Sequence, residues 1–142
     1  LYTVAERSVS GTRLRVVGAV RDVIVATAMP EAVVDRIASP QTSIVSFTVT
    51  EKGYCRAADG SLDPALAGSG SIYRFLAEGL ARRREAGLPG VTLLSCDNLA
   101  DNGPQLARLL GEYLVVRDAA LAEWVATHCT FPMTMIDRIV PA

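Results

Sequence analysis

At 142 residues, half of them hydrophobic and a fifth charged, the chain has the apolar material for one packed domain, which excludes a disordered tail. Its formal net charge of −1 offers no attraction to a polyanion. No stretch approaches the about 20 apolar residues that cross a bilayer.

Taken in chain order, Tyr2 to Arg7 and Arg13 to Ala26 alternate and are rich in valine, which predicts two strands joined by a turn at Ser10-Gly11, with a bend at Gly18. Pro30 to Ala38 predicts a short helix with proline in its first turn and Val33, Val34 and Ile37 on one face. The run TSIVSFTVTEKG, from Thr42 to Gly53, is β-branched on both faces, as in a central parallel strand. Arg56 to Gly70 is small and polar and reads as a loop. Ser71 to Ala86 predicts a helix with Ile72, Phe75, Leu76, Gly79 and Leu80 along one stripe. On that helix the run Arg82, Arg83, Arg84 reads as a solvated face.

Val91 to Cys96 is the next buried strand. Pro104 sits where a first helical residue belongs, and Leu106, Leu109, Leu110, Tyr113 and Leu114 form an apolar stripe behind it. Ala119 to His128 predicts a last helix, carrying Trp124, and the chain ends in the extended segment TFPMTMIDRIVPA. This order of elements predicts an α/β, partial Rossmann-like fold: a mostly parallel sheet with crossover helices. Ligands of open sheets bind beyond the carboxyl ends of the strands. Thr50, Glu51 and Lys52 follow one such end, and Asp97 and Asn98 follow the other.

Cys55, Cys96 and Cys129 are odd in number and form no CxxC pair, so no metal is expected, and reduced thiols in a cytoplasmic protein are.

Three stretches carry a resemblance: TVTEKGYC (48–55), LSCDNLADNG (94–103) and FPMTMIDRIVP (131–141). Together they resemble the long-chain mannitol dehydrogenase family, whose patterns look like TEKGY, SCDNLxxNG and FPxTMVDRIxP. Ile136 stands in place of the usual valine. LYTVAER at the start and LAEWV before the last motif extend the likeness over nearly the whole chain. The resemblance implies an oxidoreductase that uses NAD, or alternatively NADP, and transfers a hydride between the nicotinamide and the secondary alcohol or ketone of a sugar alcohol or sugar acid (mannitol/fructose or mannonate/fructuronate). It implies that Asn98 is catalytic, bonding the reacting oxygen, that Asp137 binds substrate, and that Thr50, Glu51 and Lys52 run beside the cofactor.

Those residue types suit those roles. Hydride transfer builds negative charge on the oxygen, and a rigid amide N–H stabilises that charge without titrating. A carboxylate can accept from polyol hydroxyls and fix which carbon faces the nicotinamide.

The resemblance places the general base, a lysine, in a C-terminal helical domain with the pattern KxxxxNxxH, and a glycine-rich fingerprint ahead of Leu1; neither pattern occurs here. Residues 1–142 are therefore expected to be the later part of a Rossmann-type domain, inactive alone and prone to self-association through exposed strand edges. The expected partner is a small sugar alcohol or sugar acid, not a nucleic acid or a membrane.

Blander readings stand beside these. Lys52 suits a surface position, Asn98 a turn or cap, and Asp137 an ion pair with Arg138. Asp97 suits positioning of its loop, and Asn102-Gly103 a helix entry. A non-catalytic α/β binding module is the alternative function. A third reading, a hydrolase using Cys96 with His128, rests on residue type alone.

Overall fold

A computed structural model describes residues 1–68 and 70–135. Strands β1 (Tyr2–Ser8) and β2 (Gly11–Val17) form an antiparallel hairpin with register from Tyr2↔Val17 to Ser8↔Gly11. Gly11 turns it at φ +131°, a conformation side chains rarely adopt. The hairpin is its own two-stranded sheet, and nearly all of it is exposed. Residues 18–26, expected to prolong its second strand, join no ladder.

Helix α1 (Pro30–Ala38) begins with proline at its first turn, carries Glu31 there and Arg36 at its end, and buries Val34 and Ile37. Strand β3 (Ile44–Phe47) pairs in parallel with β4 (Thr92–Ser95), Ile44 opposite Thr92 and Phe47 opposite Ser95. On its other side β4 meets Thr130, whose carbonyl accepts from Leu93 N at 2.8 Å. The strand expected to reach Val49 ends at Phe47. Residues Thr50–Gly53 wind instead into a one-turn helix, α2, whose closure brings Gly53 so near Val49 that an added Cβ would lie 2.6 Å from the valine's own.

Helix α3 (Ile72–Glu85) makes the crossover from β3 to β4. It packs on α1, closely enough that a Cβ on Gly79 would sit 2.5 Å from Ile37 Cγ2. Its buried face is Tyr73, Leu76, Gly79, Leu80 and Arg83, turned slightly from the predicted stripe; Ile72 and Phe75 pack at the core's margin. Helix α4 (Asn102–Val115) starts two residues before Pro104, and α5 (Ala119–His128) is capped by the Asp118 carboxylate, which accepts from Leu121 N at 2.8 Å. The leucines of α3 and α4 close over Leu93 of β4 as one core, with Tyr73 and Tyr113 stacked at 5.6 Å.

Only part of the arginine run is a solvated face. Arg83 is 1% exposed and donates to the carbonyls of Ile37, Ser39 and Pro89, tying the end of α1 to the end of α3. Arg82 bridges Glu31 and Asp35 on α1, and Arg84 bridges Asp118. Three successive residues on a helix point about 100° apart, so each meets a different neighbour. No described helix is long and apolar enough to cross a membrane.

Candidate functional site

Parallel pairing points the carboxyl ends of β3 and β4 the same way, so the residues after Phe47 and after Ser95 emerge side by side. The first bond across them is Cys96 N to Phe47 O at 2.7 Å. One residue on, the Asp97 carboxylate reaches back over the end of β3. Its Oδ1 accepts from Thr50 N at 2.8 Å and its Oδ2 from Val49 N at 3.1 Å. These are amides that the start of α2 would otherwise leave unpaired. A third donor, the Tyr54 hydroxyl, lies 3.1 Å from Oδ2 and 2.5 Å from Ser95 Oγ. Burial above all pushes the Tyr54 phenol up to about 12, and the neighbouring Asp97 charge adds to the effect. Asp97 thus positions the TEKG turn, as its place in the sequence suggested.

The turn is held in an unfavourable conformation. Thr50, a β-branched residue, has φ +61°, and Cys55 has φ +51°. Single residues held this way cost on the order of 1–3 kcal/mol and persist where surrounding bonds over-determine them. The paired bonds from Asp97 do that for Thr50. Asp101, at φ +51°, makes the matching sharp entry to α4.

The third motif is fastened to the second by Asn102, which is fully buried. Its Nδ2 donates to Asp97 O at 3.1 Å, Thr134 Oγ1 at 2.8 Å and Thr134 O at 3.1 Å, and its Oδ1 accepts from Gly103 N at 2.8 Å and Thr134 N at 3.0 Å. Thr134 Oγ1 in turn donates to Ser95 O at 2.5 Å. Gly103 allows the approach: a Cβ there would lie 2.5 Å from Phe131 O and 2.7 Å from Pro132 O. Asn102 is therefore more than a helix entry. It clamps the FPMT segment against the end of β4, and neither it nor Thr134 stood out as a site-building residue in the sequence.

Within this frame Asn98 stands apart. It is exposed, and its side chain makes no hydrogen bond among the described residues. Thr50, Glu51 and Lys52 are exposed beside it, likewise with side chains unengaged among the described residues. Asn98 thus directly follows the residue whose carboxylate holds the start of the TEK segment. Asp137 lies outside the described residues. Cys96 and His128 are not brought together: Cys96 Sγ faces Leu94 O, whereas His128 Nδ1 meets Thr127 Oγ1 and Trp124 O.

A parallel β-α-β pair whose carboxyl edge gathers strained backbone and unengaged polar side chains defines an α/β ligand-binding sheet. The family model for the mannitol dehydrogenase Rossmann domain matches residues 1–142, and the chain belongs to that family. D-mannonate oxidoreductase of Escherichia coli (strain K12) is 40% identical over 100% of this chain and 32% of its own length. Among solved structures, a D-sorbitol dehydrogenase in substrate-free form is 36% identical with TM-score 0.85, covering 99% of this chain and 32% of that one. The mannitol 2-dehydrogenase of Pseudomonas fluorescens, in a ternary complex with NAD and D-mannitol, is 33% identical with TM-score 0.81, covering 99% and 31%. The chain thus spans about a third of the length of the proteins it matches.

Proposed function

We propose that this chain forms the later part of the cofactor domain of an NAD- or NADP-dependent oxidoreductase. The enzyme interconverts the secondary alcohol and ketone of a sugar alcohol or sugar acid. The observation that carries the proposal is the unengaged amide of Asn98 at the carboxyl end of β4, beside a TEK turn held by Asp97. A dinucleotide fits this edge at its nicotinamide end, where Thr50, Glu51 and Lys52 present exposed side chains with no competing partner among the described residues. When bound, the nicotinamide gives or takes the hydride.

The chain's own residues act on the other reactant. Asn98 donates an amide N–H to the carbonyl or carbinol oxygen, whose negative charge grows toward the transition state. Because the amide neither titrates nor has an internal bond to break first, its donation is ready at every working pH. Asp137 accepts from substrate hydroxyls and fixes which carbon is presented. The proton passes to a lysine outside this chain. The remaining two thirds of the relatives' length would also supply the phosphate-binding loop. The exposed hairpin and the free edge of β3 would favour self-association of residues 1–142 made alone.

The test is Asn98→Ala in the protein that carries this chain, assayed with NAD(H) and NADP(H) on mannitol/fructose and mannonate/fructuronate. Loss of one such donor is expected to lower kcat roughly 10²- to 10³-fold, with little change in the KM for cofactor. An unchanged kcat would remove Asn98 from the chemistry.

A further inference from the structure

Resting on that oxidoreductase reading, we infer that the cleft beside α2 is the subsite for a carboxylate on the substrate, read by Arg56, so that the enzyme favours sugar acids over neutral polyols. The cleft has a volume of about 460 Å³ and is lined by Glu51, Lys52, Arg56, Ala57, Ala58, Gly60 and Leu66. Its charged lining is two cations and one anion.

Arg56 is built for a planar anion. Its Nη1 donates to Gln105 Oε1 at 2.7 Å, which fixes the plane of the guanidinium. Nε and Nη2 have no hydrogen bond among the described residues. That free edge presents the two parallel N–H groups that grip a carboxylate bidentately, a geometry lysine cannot offer.

The wall that carries Arg56 is fastened to α4. Leu62, paired with Arg56 across a short bridge, donates its N–H to Glu112 Oε2 at 2.7 Å, and Arg108 Nη2 donates to Gly60 O at 2.7 Å. The same Gln105 that orients Arg56 donates from Nε2 to Ala100 O at 2.6 Å, two residues from Asn98. Its other wall, Glu51 and Lys52, belongs to the turn that Asp97 holds. The cleft and the Asn98 amide are therefore set by one connected frame.

A dinucleotide phosphate would suit the same guanidinium edge, and the test separates the two sources. In the protein that carries this chain, Arg56→Gln is expected to raise the KM for mannonate or fructuronate roughly ten- to hundredfold, the range for a lost bidentate charged pair. The KM for mannitol and for NAD should not change. Arg56→Lys, which keeps the charge but loses the fork, should fall between the two. Equal effects on acid and neutral substrates, no effect on either, a wild-type preference for neutral polyols, or a rise confined to the cofactor KM would each overturn the inference. A wild-type protein that turns over no sugar alcohol or acid would instead sink the oxidoreductase reading beneath it.

Discussion

Asn102→Asp tests the clamp with a change of one atom. The variant keeps the shape, and Oδ1 can still accept from Gly103 N and Thr134 N. The second oxygen, however, replaces an NH2 that faces the carbonyls of Asp97 and Thr134, and Thr134 Oγ1 is already donating to Ser95 O. A fully buried carboxyl group aimed at carbonyl oxygens holds its proton to higher pH, so its folded pKa rises above the unfolded value. Stability relative to the parent is then best in acid. It falls from about pH 4 upward by about 1.4 kcal/mol per unit until the folded pKa is passed, and is constant beyond. A loss of about 1–2 kcal/mol near pH 4, from the missing donor, should grow to about 3–5 kcal/mol at pH 7.5. Urea unfolding of parent and variant at both pH values, followed by far-UV circular dichroism, gives the difference directly. A loss below about 1 kcal/mol at pH 7.5, or one independent of pH, would show that the amide does not hold Thr134 as described.

Gly103→Ala should be costly although alanine is the better helix former, because its Cβ meets backbone oxygens of Phe131 and Pro132 that cannot swing aside. About 1–3 kcal/mol is expected from the same urea assay. A neutral or stabilising result would mean that the 131–132 segment does not lie against α4. For Tyr54 the prediction concerns alkali. Its folded value is raised from 10.0 to about 12, so the stability it contributes is fully present below pH 10 and is lost as pH rises toward 12. A phenolate absorbance titration should lose one late-ionising tyrosine in Tyr54→Phe, while Tyr73, whose phenol burial also pushes up, stays late; an unchanged titration curve in that variant would contradict it.

The sequence showed the helices and the parallel pair where pattern and packing agree. Pro30, the leucines of α4 and the apolar β4 run each carry a local signal that the tertiary structure reinforces. The end of β3 was hidden because TVT has strong strand propensity, and only Asp97, far along the chain, captures the Val49 and Thr50 amides and turns them into α2. Arg83 was misread for a related reason: a basic run looks solvated until α1 packs near enough to present its carbonyls. Asn98 and the TEK segment were singled out through the motifs they occupy, and both lie exposed beyond the carboxyl ends of the paired strands. Asn102 and Thr134 were not, since N-G-P reads as a helix entry wherever it occurs, and their bond is a long-range fact. Arg56 sat in what read as a plain polar loop, and its orientation depends on Gln105, in α4.

The two asparagines of the second motif differ in what the fold asks of them. Asn98 and Asn102 are the same side chain four residues apart, yet Asn102 has both ends of its amide consumed by backbone and Thr134, whereas Asn98 has neither engaged among the described residues. An amide that stabilises growing charge must be fixed in direction but free to donate, and a residue cannot fix itself through the N–H it offers. Its rigidity has to come from neighbours. Asp97 on one side is held by three donors from the β3 end, and Leu99 N closes on Asp97 O at 2.9 Å on the other. Asn102 then locks Asp97 O from below and draws in the segment that leads to Asp137. Weakening Asn102 should therefore misplace Asn98 without touching it. On the proposed role of Asn98, a geometric loss of that kind should lower kcat even under conditions where the domain remains folded.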